Sequence, residues 1–116
     1  MPNKTLAALM MFAALALPAA AHTYLQTATP EAGANLTAPP SEIVMQFSGD
    51  LEPAFSSITV TDEKDHVVNA GASVADGKTM RAALKPLKPG RYRVTWVAVS
   101  IDTHRSEGKY NFLILP

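Results

Sequence analysis

Three histidines, His22, His66 and His104, and no cysteine set the chemical repertoire of this chain. Without thiols, disulfide scaffolds, zinc–thiolate clusters and cysteine catalysis are all excluded. His104 closes the run Ser100-Ile101-Asp102-Thr103-His104. In an extended segment, residues two apart point the same way, so Asp102 and His104 are expected to converge on one point. Such an Asp-x-His pair is a modest signal alone, because hydrogen-bonded surface couples share it. His66 follows Asp62-Glu63-Lys64-Asp65 and reads as a solvated histidine in a charged turn.

The chemistry of His22 depends on what precedes it. One cation, Lys4, is followed by the unbroken apolar run Leu6 to Leu17 and then by Pro18 and Ala19-Ala20-Ala21. This is the pattern of a secretory signal peptide over residues 1–21, removed at a small-residue site. A helix of twelve such residues rises about 18 Å, short of the roughly 30 Å of a bilayer core. Cleavage after Ala21 makes His22 the first residue of the mature chain, residues 22–116. A free α-amine and an imidazole on one residue form a bidentate nitrogen chelate once the amine sheds its proton. With the His104 imidazole and an Asp102 oxygen, the donor set becomes N3O. In a tetragonal arrangement these donors suit Cu(II) ahead of Ni(II), whereas zinc favours a tetrahedron.

The elements that must position these groups are strands. Ile43, Met45 and Phe47 alternate with polar or smaller neighbours. So do Ile58 and Val60, then Tyr92, Val94, Trp96 and Ala98, then Tyr110, Phe112 and Ile114. Period-two alternation with one apolar face marks half-buried antiparallel strands. Turn formers separate them: Thr29-Pro30-Glu31-Ala32-Gly33, Ala38-Pro39-Pro40-Ser41, Asp76-Gly77-Lys78 and Lys88-Pro89-Gly90. The pattern predicts strands over 23–28, 42–48, 57–62, 66–70, 79–84, 90–100 and 109–115. The fold class is all-β, a seven-stranded Greek-key or immunoglobulin-like β-sandwich, a small cupredoxin-like barrel. Trp96, Met45 and Met80 read as core, not as ligands.

Removing 21 residues from 116 leaves 95, enough for one domain and its core. The mature chain carries ten acidic residues against nine Lys/Arg. That balance offers no electrostatic footprint for nucleic acid or anionic membrane surfaces.

His22-Thr23-Tyr24-Leu25, Thr29-Pro30-Glu31-Ala32-Gly33, Phe47-Ser48, Trp96 through His104 and Gly108-Lys109-Tyr110-Asn111-Phe112 occur in that order. Over His22 to Pro116 the chain resembles the CopC family of periplasmic copper-binding, copper-resistance proteins. The resemblance implies a Greek-key sandwich and one Cu(II) per chain, bound by His22, Asp102 and His104. It also implies a soluble periplasmic monomer, without membrane insertion once the leader is cleaved, that carries or buffers copper rather than turning over a substrate. A CopD-type inner-membrane copper protein is the implied partner. Many members have Phe-Ser-Glu after the second strand, where this chain has Phe47-Ser48-Gly49-Asp50. A methionine-rich loop for Cu(I), present in some members, has no counterpart from Phe55 to Gly77.

Two other readings share parts of the pattern. Lytic polysaccharide monooxygenases also begin with a copper-binding histidine on an immunoglobulin-like sandwich. They need an open position for oxygen, which Asp102 would fill, and surface loops for which 95 residues leave little room. A metal-free immunoglobulin-like interaction module would leave His22 and His104 as solvent-facing accidents.

Overall fold

The computed structural model describes residues 23–116, so His22 and the leader assigned to residues 1–21 lie outside the described residues. Eight strands are found there: β1 Leu25–Thr29, β2 Asn35–Leu36, β3 Glu42–Phe47, β4 Ser57–Thr61, β5 Val74–Asp76, β6 Thr79–Ala83, β7 Gly90–Val99 and β8 Arg105–Ile114. They form two four-stranded sheets, in the orders β1-β3-β6-β5 and β2-β8-β7-β4. All pairings are antiparallel except the short β2–β8 ladder, which is parallel. Among the described residues the only helical element is a 3-10 turn at Pro53–Phe55.

The alternation fixes the packing. Ile43, Met45 and Phe47 from β3, with Met80 and Ala82 from β6, face Ile58, Val60, Tyr92, Val94, Trp96, Ala98, Phe112 and Ile114 of the other sheet, and all are buried. Each large apolar side chain so buried is worth about 1.5–3 kcal/mol. The Phe47 ring meets the Trp96 indole edge-on across the sandwich, with centroids 5.5 Å apart. Tyr92 stacks on Phe112 at 5.4 Å. The two methionines among the described residues, Met45 and Met80, lie wholly inside this core.

The sheets hold eight strands rather than the seven expected from alternation. β2 and β5 are two and three residues long, too short for alternation to register. The strand expected at 66–70 is reduced to isolated bridges at Val67 and Asn69. Asp65 turns the chain through a left-handed conformation (φ 63°), and the following segment lies along the open edge of β4 instead of forming a regular ladder. There the Asn69 carboxamide acts as a surrogate peptide. The Val60 N–H donates to its Oδ1 at 2.8 Å, and its Nδ2 donates to the Ile58 carbonyl at 3.0 Å. The Ser73 hydroxyl accepts the Ile58 N–H at 3.0 Å. Edge groups satisfied in this way no longer invite another strand.

Tyr92 supports the opposite end of β7. Its hydroxyl donates to the Lys88 carbonyl at 2.7 Å and accepts the Lys88 N–H at 3.2 Å, clamping the Lys88-Pro89-Gly90 turn. Tyr92→Phe should therefore cost about 1–2 kcal/mol while keeping the ring stack. For a domain of this size that is a melting point lower by roughly 4–16 °C. Circular dichroism melts read it directly, and an unchanged melting point would show that the clamp contributes nothing.

Candidate metal centre

β7 and β8 form one long hairpin, with register partners running from Gly90↔Ile114 to Val99↔Arg105. The last strand thus starts at Arg105, not at 109, and the connection between the two strands is a tight turn over residues 100–104. The Ser100 N–H donates to the His104 carbonyl at 2.9 Å, and the Thr103 N–H donates to the Ser100 carbonyl at 2.8 Å. Thr103 adopts φ 73°. A β-branched residue rarely enters that left-handed region.

This turn brings Asp102 and His104 together for a reason other than the one alternation suggested. The reversal at Thr103, not an extended backbone, places the His104 Nδ1 3.3 Å from the Asp102 Oδ1, with both side chains about half exposed. The Ser100 hydroxyl also donates to Asp102 Oδ1. First this hydroxyl and then the His104 imidazole hold the Asp102 carboxyl below the usual carboxylate range. An imidazole with its proton on Nδ1, facing the carboxylate, carries its lone pair on Nε2, the nitrogen such a histidine offers to a metal.

Neighbouring segments fix the turn in place. The 48–52 segment runs beneath it: Leu51 bridges Ser100, the Glu52 N–H donates to the Val99 carbonyl at 2.7 Å, and the Ile101 N–H donates to the Asp50 carbonyl at 3.3 Å. The Val99 N–H donates to the Ser56 hydroxyl at 3.0 Å. The Asp50 side chain is exposed, and only its backbone is tied to the turn.

The first described residues are latched at the same end of the sandwich. The Tyr24 N–H donates to the Ser48 hydroxyl at 2.9 Å, and the Ser48 N–H returns a bond to the Tyr24 carbonyl at 2.9 Å. The Ser106 hydroxyl donates to the Thr23 carbonyl at 3.3 Å. Gly49 leaves room for Thr23, whose Oγ1 would lie only 2.6 Å from a Cβ built there. Thr23 is therefore seated beside Ser106, two residues beyond His104.

Among the described residues, no three His, Asp or Glu side chains stand together as a metal site; Asp102 and His104 contribute two. His66 lies in the 62–66 turn, joined to the strand residues remote from residues 100–104. Its ring is 73% exposed and 3.5 Å from Asp62. The sequence pattern does not single out Ser100, Ser48 or Ser106 as functional. Only Ser100 leaves a signal there, as a hydroxyl one residue past β7 that continues the inward-facing alternation of Trp96 and Ala98.

A family model described as the CopC domain matches residues 25–114. Copper resistance protein C of Pseudomonas syringae pv. tomato is 36% identical, over 93% of this chain and 90% of that protein. The crystal structure of CopC from Methylosinus trichosporium OB3b superposes with a TM-score of 0.75 at 31% identity, covering 82% of this chain and 95% of that one. That of PcoC, a methionine-rich copper resistance protein from Escherichia coli, gives 0.69 at 37% identity, covering 81% and 99%.

Proposed function

The chain belongs to the CopC family, and from that premise we propose that it is a periplasmic Cu(II)-binding protein that carries or buffers copper in homeostasis or resistance. The observation that carries the reading is the pairing of Asp102 with His104 on a tight turn beside the seat of Thr23. Consecutive Cα atoms are 3.8 Å apart, so a mature N-terminus at His22 starts one peptide step from that seat. The amine and imidazole of His22, the His104 imidazole and an Asp102 oxygen would hold one Cu(II) as cargo. Nitrogen and oxygen donors favour Cu(II) over Cu(I), and the described methionines that could hold Cu(I) are sealed in the core. Copper bound at an edge, with Asp102 in its coordination sphere, is suited to transfer rather than to oxygen chemistry. A CopD-type membrane protein is the partner we propose for that exchange.

Competition titration of the signal-cleaved protein with Cu(II) tests the reading, and its pH dependence has a defined sign. Amine and imidazole donors must lose protons to bind, so affinity should fall by about a hundredfold or more from pH 7 to pH 5. Asp102 does not cause that loss. Its lowered pKa keeps the carboxylate ionised across this window, and its hydrogen bonds fail only as pH falls through that lowered value. An affinity that stays flat from pH 7 to pH 5 would rule out the nitrogen donors.

A further inference from the structure

We propose that Ser100 is the positioning residue of this centre, setting the orientation of both Asp102 and His104 before any metal arrives; the inference rests on the copper-binding reading above. Ser100 is only 4% exposed, one of two buried polar residues among those described. Its hydroxyl lies within hydrogen-bond reach of three groups on the turn: the Asp102 carboxylate, the His104 N–H at 3.2 Å and the His104 carbonyl at 3.2 Å. One hydroxyl has one proton. The carboxylate takes it, because a charge-assisted bond is roughly twice as strong as a neutral one, and the His104 carbonyl already accepts the Ser100 N–H at 2.9 Å. The hydroxyl lone pairs then accept the His104 N–H.

Ser100 thus joins the side chain of one candidate ligand to the backbone of the other. It occupies Asp102 Oδ1, the same oxygen that faces the His104 Nδ1. The carboxylate keeps Oδ2 for a metal, and an imidazole that turns Nδ1 to the carboxylate presents Nε2 on its other side. Fixing these orientations in advance spares the binding step the cost of ordering two half-exposed side chains. Removing such an outer hydrogen bond typically costs 10–100-fold in metal affinity.

Ser100→Ala removes the hydroxyl, and Ser100→Thr keeps it. In the signal-cleaved protein, Ser100→Ala should bind Cu(II) about 10–100-fold more weakly and give a shifted, broadened electron paramagnetic resonance spectrum, while Ser100→Thr should restore both. Amide hydrogen exchange of the metal-free protein supplies a readout independent of copper: the His104 N–H should exchange faster in Ser100→Ala, with the amides of the β7–β8 ladder unchanged. If wild type binds Cu(II) and Ser100→Ala matches it in affinity and spectrum, the positioning role is overturned and the copper reading stands. If wild type binds no copper, the functional reading falls instead, and an unchanged His104 exchange rate then overturns the role of Ser100 in the turn. Should Ser100→Ala not fold, Ser100→Val, which has the shape of the threonine variant without its hydroxyl, is read by the same two measurements.

Discussion

Acetylation of the His22 α-amine should lower the Cu(II) affinity of the mature protein by on the order of 10²–10⁴ and weaken the nitrogen couplings in its spectrum. Acetylation leaves the His22 imidazole in place but converts the α-amine into an amide and supplies no new amine to anchor copper beside it. Two donors on one residue act as a linked pair, and linkage alone is worth gains of about 10²–10⁴. His104→Ala should produce a loss of the same order from the other side of the site. That change also removes the imidazole 3.3 Å from Asp102. Native and acetylated proteins with one equivalent of Cu(II), compared by electron paramagnetic resonance, decide the matter. A tetragonal, nitrogen-rich signal present only with the native terminus supports the chelate. Identical spectra would remove the amine from the site and bring the metal-free module forward.

The second large effect is on the scaffold. Gly108 and Trp96 are register partners on β8 and β7, and the indole lies across the position where residue 108 has no side chain. A Cβ at 108 would fall 2.8 Å from Trp96 Cζ2 and 2.9 Å from Cε2 and Nε1. The ring cannot retreat easily, because its far side meets the buried Phe47 ring. Gly108→Val should therefore displace the indole and cost about 1–3 kcal/mol from overpacking alone. As this is the only tryptophan of the chain, emission reports its displacement without ambiguity. A red-shifted emission maximum and a melting point lower by roughly 4–8 °C for each kcal/mol are expected. Gly108→Ala should show a smaller version of both. Wild-type emission and stability in Gly108→Val would mean that the indole does not cover that position.

Much of the sandwich was legible in the chain. Period-two alternation assigned the buried faces of β3, β4, β7 and β8, because side-chain direction in a strand is a local property that sequence order alone dictates. The Asp102-x-His104 spacing named two side chains that the turn does bring together. The Ala19-Ala20-Ala21 site made His22 a candidate terminus, a chemical argument that needs no coordinates.

Other features depend on partners far away in sequence, and no local pattern records them. β2 exists only because β8 lies beside it, and β5 only because β6 does. The 66–73 segment gave up a strand for side-chain bonds to β4, an exchange settled by which edge stands open. The convergence of Asp102 and His104 came from the length of the β7–β8 register, which leaves so few residues for the turn that Thr103 must take a left-handed conformation. The seat of Thr23 beside Ser106 joins groups 83 positions apart. Residue types and spacing thus determined which groups could bind a metal, and the packing of two sheets decided how the turn presents them, because hairpin register and inter-sheet contact are set by the whole core at once.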